Sequence, residues 1–241
     1  MILAINTSTL QFSISLSAMN GTLLAECIAS APHRNFGSLS TTFDFLLESS
    51  RKNLADIRAV AVAMGPGSFT GLRVGLSMAK GICHGLHLPL IGISTLEALA
   101  NQIPYSDLPI TPIVDSRKGE VFVARFTWDR PSGSMRRVME DRCVKLEALP
   151  QICSEPTVLI GNDLEKQAPL LRKVITDNIF YAPEDKWHVR ASAIGQLGLK
   201  HYRRGKEDSL ESLSPKYFRS PDIRPNPYPL LERNEGNEIK S

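Results

Sequence analysis

The pattern that most constrains how this chain can fold occurs in it twice. Residues 2 to 6 are a short apolar run ending in Asn6-Thr7-Ser8-Thr9, after which Phe12, Ile14, Leu16 and Ala18 alternate with Ser13, Ser15 and Ser17. Residues 110 to 114 are apolar again and end in Asp115-Ser116. They turn through Arg117-Lys118-Gly119 into Val121, Val123 and Arg125, which alternate with Phe122, Ala124 and Phe126. Strict alternation predicts a hairpin strand with one buried face. Its recurrence in the same context predicts an α/β chain made by duplicating a β-meander-plus-helices unit.

The rest of the first copy is readable in order. Asn20-Gly21 supplies a tight turn into a third strand at residues 22 to 28. Phe36, Leu39, Phe43, Leu46 and Leu47 recur at helical spacing in a helix reaching about residue 50, and residues 60 to 64 form a strand. A glycine-rich turn at residues 65 to 71 opens a helix to about His87, ended by Leu88-Pro89. In the second copy residues 157 to 161 read as a buried strand and 191 to 204 as a helix. The expected division is 1–105, 106–220, and a proline-rich flexible tail at 221–241, where Pro221, Pro225, Pro227 and Pro229 forbid a regular ladder.

Composition narrows the setting. The chain has 241 residues, 42% of them hydrophobic and 22% charged, enough for a substantial core. No run approaches the ~18 apolar residues of a membrane span. The N-terminus lacks a basic flank and cleavage site, so a cytoplasmic protein without membrane contact is expected. Cys27, Cys83, Cys143 and Cys153 have no C-x-x-C pair and read as reduced thiols. A net charge of +3 does not announce nucleic-acid binding. The basic cluster Lys200-His201-Tyr202-Arg203-Arg204-Gly205-Lys206 ends a helix, where cations also complement the macrodipole.

Gly65-Pro66-Gly67-Ser68-Phe69-Thr70-Gly71-Leu72-Arg73-Val74-Gly75 lies between a strand and a helix, where phosphate loops stand. It contains no G-x-x-x-x-G-K-[ST], and its G-x-G-x-x-G fails at Thr70. Gly67, Ser68 and Thr70 remain candidates for an anion nest, or for a tight turn with Ser68 or Thr70 capping the helix. His84 and His87 stand three apart without a further ligand set, and His33, His188 and His201 join no serine or cysteine nucleophile motif.

The glycine-rich run resembles the signature of the TsaB (YeaZ) family. The resemblance extends to Leu3-Ala4-Ile5-Asn6-Thr7-Ser8-Thr9, Ala79-Lys80-Gly81, Gly92-Ile93-Ser94-Thr95-Leu96, Asp115-Ser116-Arg117-Lys118-Gly119-Glu120-Val121-Phe122 and Pro215-Lys216-Tyr217-Phe218-Arg219. It implies an actin-like, Hsp70-like (ASKHA) fold of two related halves. It further implies a subunit with no catalytic residues or cofactor of its own, in the complex that forms threonylcarbamoyladenosine beside the tRNA anticodon. The catalytic paralogue TsaD, the ATPase TsaE and, when alone, a second copy are the implied partners, with tRNA reached indirectly. Asn6 departs from the family's usual Asp, which argues against nucleotide hydrolysis; an Asx turn is the other use of Asn6. TsaD resembles this chain in fold but carries an H-x-x-x-H metal pair that this sequence lacks. The runner-up is an ASKHA-fold ATP-dependent phosphotransferase or ATPase; a peptidase finds no nucleophile-and-base motif here.

The pairing surface implied by the resemblance is the first two helices. On the first, Ser38, Thr41, Thr42, Phe45 and Ser49 lie off the apolar stripe; on the second, Gly71, Gly75, Met78 and Ile82 share one arc. These nine residues are the expected partner interface. Packing on the chain's own sheet competes for the glycine arc.

Overall fold

The computed structural model describes residues 1–30, 36–174 and 176–218. The proline-rich tail and His33 lie outside the described residues.

The apolar run of residues 2 to 6 becomes β1 (Ile2–Asn6), and the alternating segment becomes β2 (Gln11–Ser17), antiparallel to it. Asn20-Gly21 makes the expected turn, with Gly21 at φ +99° and the Asn20 side chain accepting from Thr22 N–H. β3 (Leu23–Ser30) then adds to β2. After α1 (Leu39–Ser49) the chain returns as β4 (Ala59–Ala63), parallel to β1. α2 (Phe69–Leu86) leads to β5 (Leu90–Ile93) and the short α3 (Thr95–Ala100). The sheet order is β3-β2-β1-β4-β5.

The second sheet repeats this plan. β6 (Ile110–Asp115), β7 (Glu120–Asp129) and β8 (Ser134–Lys145) form the meander; α4 (Leu149–Ile152), β9 (Thr157–Ile160), α5 (Leu164–Leu171) and β10 (Ile179–Tyr181) follow. Its order, β10-β9-β6-β7-β8, is the first sheet's order with β6 in the place of β1. The duplication read from sequence is therefore present strand for strand. Among the described residues no helix is long and apolar enough to cross a membrane.

α1 and α2 cover one face of the first sheet: Leu39, Phe43, Leu46 and Leu47 of α1 and Leu76, Ala79 and Cys83 of α2 share a core with Leu3, Ile5, Val60 and Val62. The opposite face differs from expectation. The hairpin predicts serines facing solvent, yet Ser13, Ser15 and Ser17 are buried. They lie under α6 (Ala191–Arg203), the last helix, which packs on β1, β2, β4 and β5. A Cβ on Gly198 would stand 2.5 Å from the Ala61 Cβ, and one on Gly195 3.3 Å from the Ala4 Cβ. Small residues on both surfaces bring the helix close to the sheet, and alternation alone cannot reveal such a cover. Arg190 and the start of α6 are tied to β3 through Glu26, whose carboxylate accepts from Arg190 Nη2 at 2.6 Å, Ser192 N–H at 2.8 Å and Ser192 Oγ at 3.0 Å.

Candidate functional site

The carboxyl ends of β1 and β6 meet at a cleft of about 340 Å³ between the two sheets. From the first half come Ser8, Thr9 and residues 67 to 70; from the second come Asp115, Ser116, Arg117, Asn162, Asp163 and Lys166. A strap from the C-terminal side crosses its mouth. Lys216 N–H donates to Met64 O, Tyr217 stacks on Phe69 at 5.0 Å between ring centroids, and Phe218 approaches Phe122 at 6.4 Å. Arg73 lies over the Phe69 ring and donates from Nε to Tyr217 Oη at 3.1 Å.

The glycine loop is shaped by close approach to β1. Ser68 N–H donates to Ser8 O at 2.7 Å, and a Cβ on Gly67 would stand 2.3 Å from that same oxygen. Ser68 caps α2, its Oγ accepting from Gly71 N–H at 3.3 Å, while Thr70 is exposed. Gly65 has φ +106° and faces Lys216 O, so the loop is held from both sides. One amide of the expected anion nest is thus turned inward. The first-turn amides of Phe69 and Thr70, which have no partner within the helix by geometry, are what the cleft offers an anion.

Asn6 sits fully buried at the end of β1. Its Oδ1 accepts from Ser8 N–H at 3.1 Å and Ser8 Oγ at 2.6 Å, the Asx turn anticipated above, and its Nδ2 donates to Val189 O at 3.0 Å. Asn6→Asp removes that donor and sets a carboxylate against a carbonyl oxygen in the interior. It is expected to cost about 1–3 kcal/mol, with the deficit greatest at neutral pH and smaller in acid, where the carboxyl regains its proton; thermal melts at two pH values check this.

Asp115, the counterpart of Asn6 in the second half, is engaged differently. Lys166 Nζ pairs with its Oδ2, Gln167 Nε2 donates to its Oδ1 at 2.7 Å, and Asp115 N–H donates to Asn162 Oδ1 at 2.9 Å. The duplication could have pointed to Asp115 as a cleft residue; nothing in the sequence pairs it with Lys166. Chemically, the cleft offers hydroxyls, backbone amides, the Lys166–Asp115 ion pair and the charged side chains of Arg117, Asp163 and Lys216. Among the described residues no group of three His, Cys, Asp or Glu side chains could hold a metal ion. His188 stands apart, its pKa lowered by burial and then by Arg190. Cys83 is buried, which pushes its thiol up to about 12.

The expected pairing residues divide. Phe45 is 61% exposed, whereas Phe43, two residues away, is 6% exposed. Ser38, Thr41 and Ser49 are exposed beside Phe45 and Thr42 is half-buried; the Thr41 and Ser49 hydroxyls bond the helix's own carbonyls. Met78 and Ile82 are half-buried against the core. Gly71 and Gly75 are buried: a Cβ would stand 1.9 Å from Thr7 O at Gly71 and 2.2 Å from Thr7 Oγ1 at Gly75. Those two glycines let α2 lie on β1, and the expectation that they face a partner is corrected.

The family described as "TsaD: tRNA N6-adenosine threonylcarbamoyltransferase" matches residues 28–180. The "tRNA threonylcarbamoyladenosine biosynthesis protein TsaB" of Bacillus subtilis is 28% identical over 221 residues, covering 90% of this chain and 93% of that protein. The protein of the same name from Escherichia coli is 29% identical over 230 residues, covering 91% and 94%. A Pseudomonas aeruginosa crystal structure, described as an uncharacterized protein with similarity to peptidase YeaZ, superposes with a TM-score of 0.75 at 22% identity, covering 90% of this chain and 99% of that one. That likeness establishes the shared fold. With the family match spanning more than half its residues and TsaB relatives aligned along nearly the whole of both chains, this protein belongs to the TsaB (YeaZ) members of the TsaD family.

Proposed function

We propose that this chain is a non-catalytic subunit in the formation of threonylcarbamoyladenosine on tRNA, pairing through the outer surface of α1 and α2 with the catalytic paralogue TsaD. The observation that carries the pairing is Phe45, a large aromatic 61% exposed on a helix whose buried stripe is already complete. Hydroxyl residues surround it, a composition suited to a helix-to-helix contact. TsaE is the third member of the complex, and a second copy of the chain takes TsaD's place in its absence.

The lack of catalysis is supported by the cleft. The loop that would receive phosphates is drawn onto β1 by Ser68 N–H donating to Ser8 O, and Asn6 uses its polar atoms internally. Lys166, which reaches the second strand end, is paired with Asp115. An ASKHA phosphotransferase needs these groups free for nucleotide and metal. The purified chain is expected to bind TsaD in co-purification while showing neither ATP hydrolysis nor tRNA modification by itself. Sustained ATP turnover that co-elutes with the chain, and falls on substitution of Gly67→Val, would favour the phosphotransferase.

A further inference from the structure

The amino-terminal end of the first sheet lies opposite the cleft and carries a second recess of about 300 Å³. Its floor is apolar, made by Met1, Met19 and Leu24. Its rim holds Lys52, just past the end of α1, and Arg58, just before β4. Arg203, near the end of α6, holds the Met19 backbone from outside the recess, its Nη2 donating to Met19 O at 2.6 Å. The connection from α1 to β4 thus brings two cations to one concavity.

One carboxylate opposes this charge: Asp56 also lines the recess, its Oδ2 accepting from Asn53 N–H at 3.0 Å as part of a capping turn. Among the described residues, neither Lys52 nor Arg58 has an ion-pair partner, and both are exposed. The Met1 amino group is held below its ordinary value, by burial first and then by the charges of Arg58 and Lys52, with Asp56 opposing. With Lys52 and Arg58 against the single carboxylate of Asp56, the lining side chains carry a net positive charge.

We infer that this recess, rimmed by Lys52 and Arg58, is a docking surface for the phosphate backbone of a structured RNA. A concave site with separated cations suits a convex sugar–phosphate strand, each cation meeting a phosphate while the apolar floor takes the sugar edge. An anionic membrane is the poorer match, because electrostatic anchoring there uses four or more basic residues on a surface that can lie flat. The assignment rests on the proposed role in tRNA modification, to which it adds a direct RNA contact by this subunit. The surface lies away from the cleft, so its contribution is affinity and orientation.

The test is binding of an unmodified tRNA transcript, followed by anisotropy over a salt series, to the chain alone and to its complex with TsaD. Lys52→Ala with Arg58→Ala is compared with Arg136→Ala with Arg142→Ala, which removes the same charge from exposed positions on β8. The first pair is expected to weaken binding about tenfold at about 0.1 M salt and to flatten the salt slope by roughly 1.4–1.8, for two lost phosphate contacts. The second pair should change affinity less than about twofold. Equal losses for the two pairs, no tRNA binding by the unsubstituted chain in either state, or capture by acidic phosphatidylserine vesicles in preference to tRNA would each overturn the inference. Co-purification with TsaD is measured on the same samples: loss of RNA with TsaD retained supports the recess, whereas failure to bind TsaD with RNA binding intact removes the scaffold reading and leaves the recess standing.

Discussion

Phe45→Asp is expected to leave the chain folded and to abolish its pairing. The side chain is 61% exposed, so the charge stays hydrated in the monomer and its cost to stability is below about 0.5 kcal/mol. In a helix-to-helix interface the same carboxylate must be desolvated without a partner, because the neighbouring Ser38, Thr41 and Ser49 offer hydroxyls and no cation. That penalty is about 3 kcal/mol or more, a hundredfold or greater loss of affinity. Phe43→Asp provides the contrast. Phe43 packs with Leu39, Leu46 and Leu47 against β2 and β3, and a charge there costs about 4 kcal/mol or more and unfolds the first half. Sedimentation with and without TsaD, beside a thermal melt, separates the two. A Phe45→Asp chain that still pairs would move the interface elsewhere, and one that fails to melt cooperatively would place Phe45 in the core.

Phe43 and Phe45 also show how far sequence periodicity reaches. Residues three and four apart on α1 fall on one face, so the buried stripe and the outlying aromatic are both visible without coordinates. The two meanders were legible for a related reason: period-two alternation and Asx-hydroxyl turns are local signals, and their recurrence gives the architecture. What stayed hidden depends on elements far apart in sequence. Ser13, Ser15 and Ser17 alternate with apolar residues as a solvent-facing set would, and only the return of α6 some 180 positions later buries them. Likewise Asp115 reads as a strand end, while its neutralisation by Lys166 requires α5 to begin beside it. Lys216, Tyr217 and Phe218 match a family ending, but no periodicity shows that such a segment closes the cleft.

Gly71 and Gly75 mark the point where helical periodicity gave the right arc and the wrong neighbour. Four-residue spacing places both on one face, and a smooth face admits either a partner helix or the chain's own sheet. The structure puts Thr7 there, its Oγ1 donating to Gly71 O at 2.7 Å. A methyl at Gly71 would overlap Thr7 O at 1.9 Å and press on Phe36 at 3.1 Å. The first obstacle is backbone at the end of β1, which cannot swing aside as a side chain does, so α2 has to lift from the sheet. Gly71→Ala is therefore expected to cost about 3–4 kcal/mol, through broken packing beneath α2. That lowers the melting temperature by roughly 6–16 °C for a chain of this size. Gly85, on the same helix, has nothing within 4 Å of the position a Cβ would take. There the lower backbone entropy of alanine acts alone, and Gly85→Ala is expected to stabilise by about 0.5–1 kcal/mol. Opposite shifts from the same substitution, measured by chemical denaturation of the two variants, identify the glycine face near Thr7 as internal packing. If Gly71→Ala instead melts like the parent chain and loses only its pairing with TsaD, α2 meets its partner through that face and the helix sits farther from β1 than described.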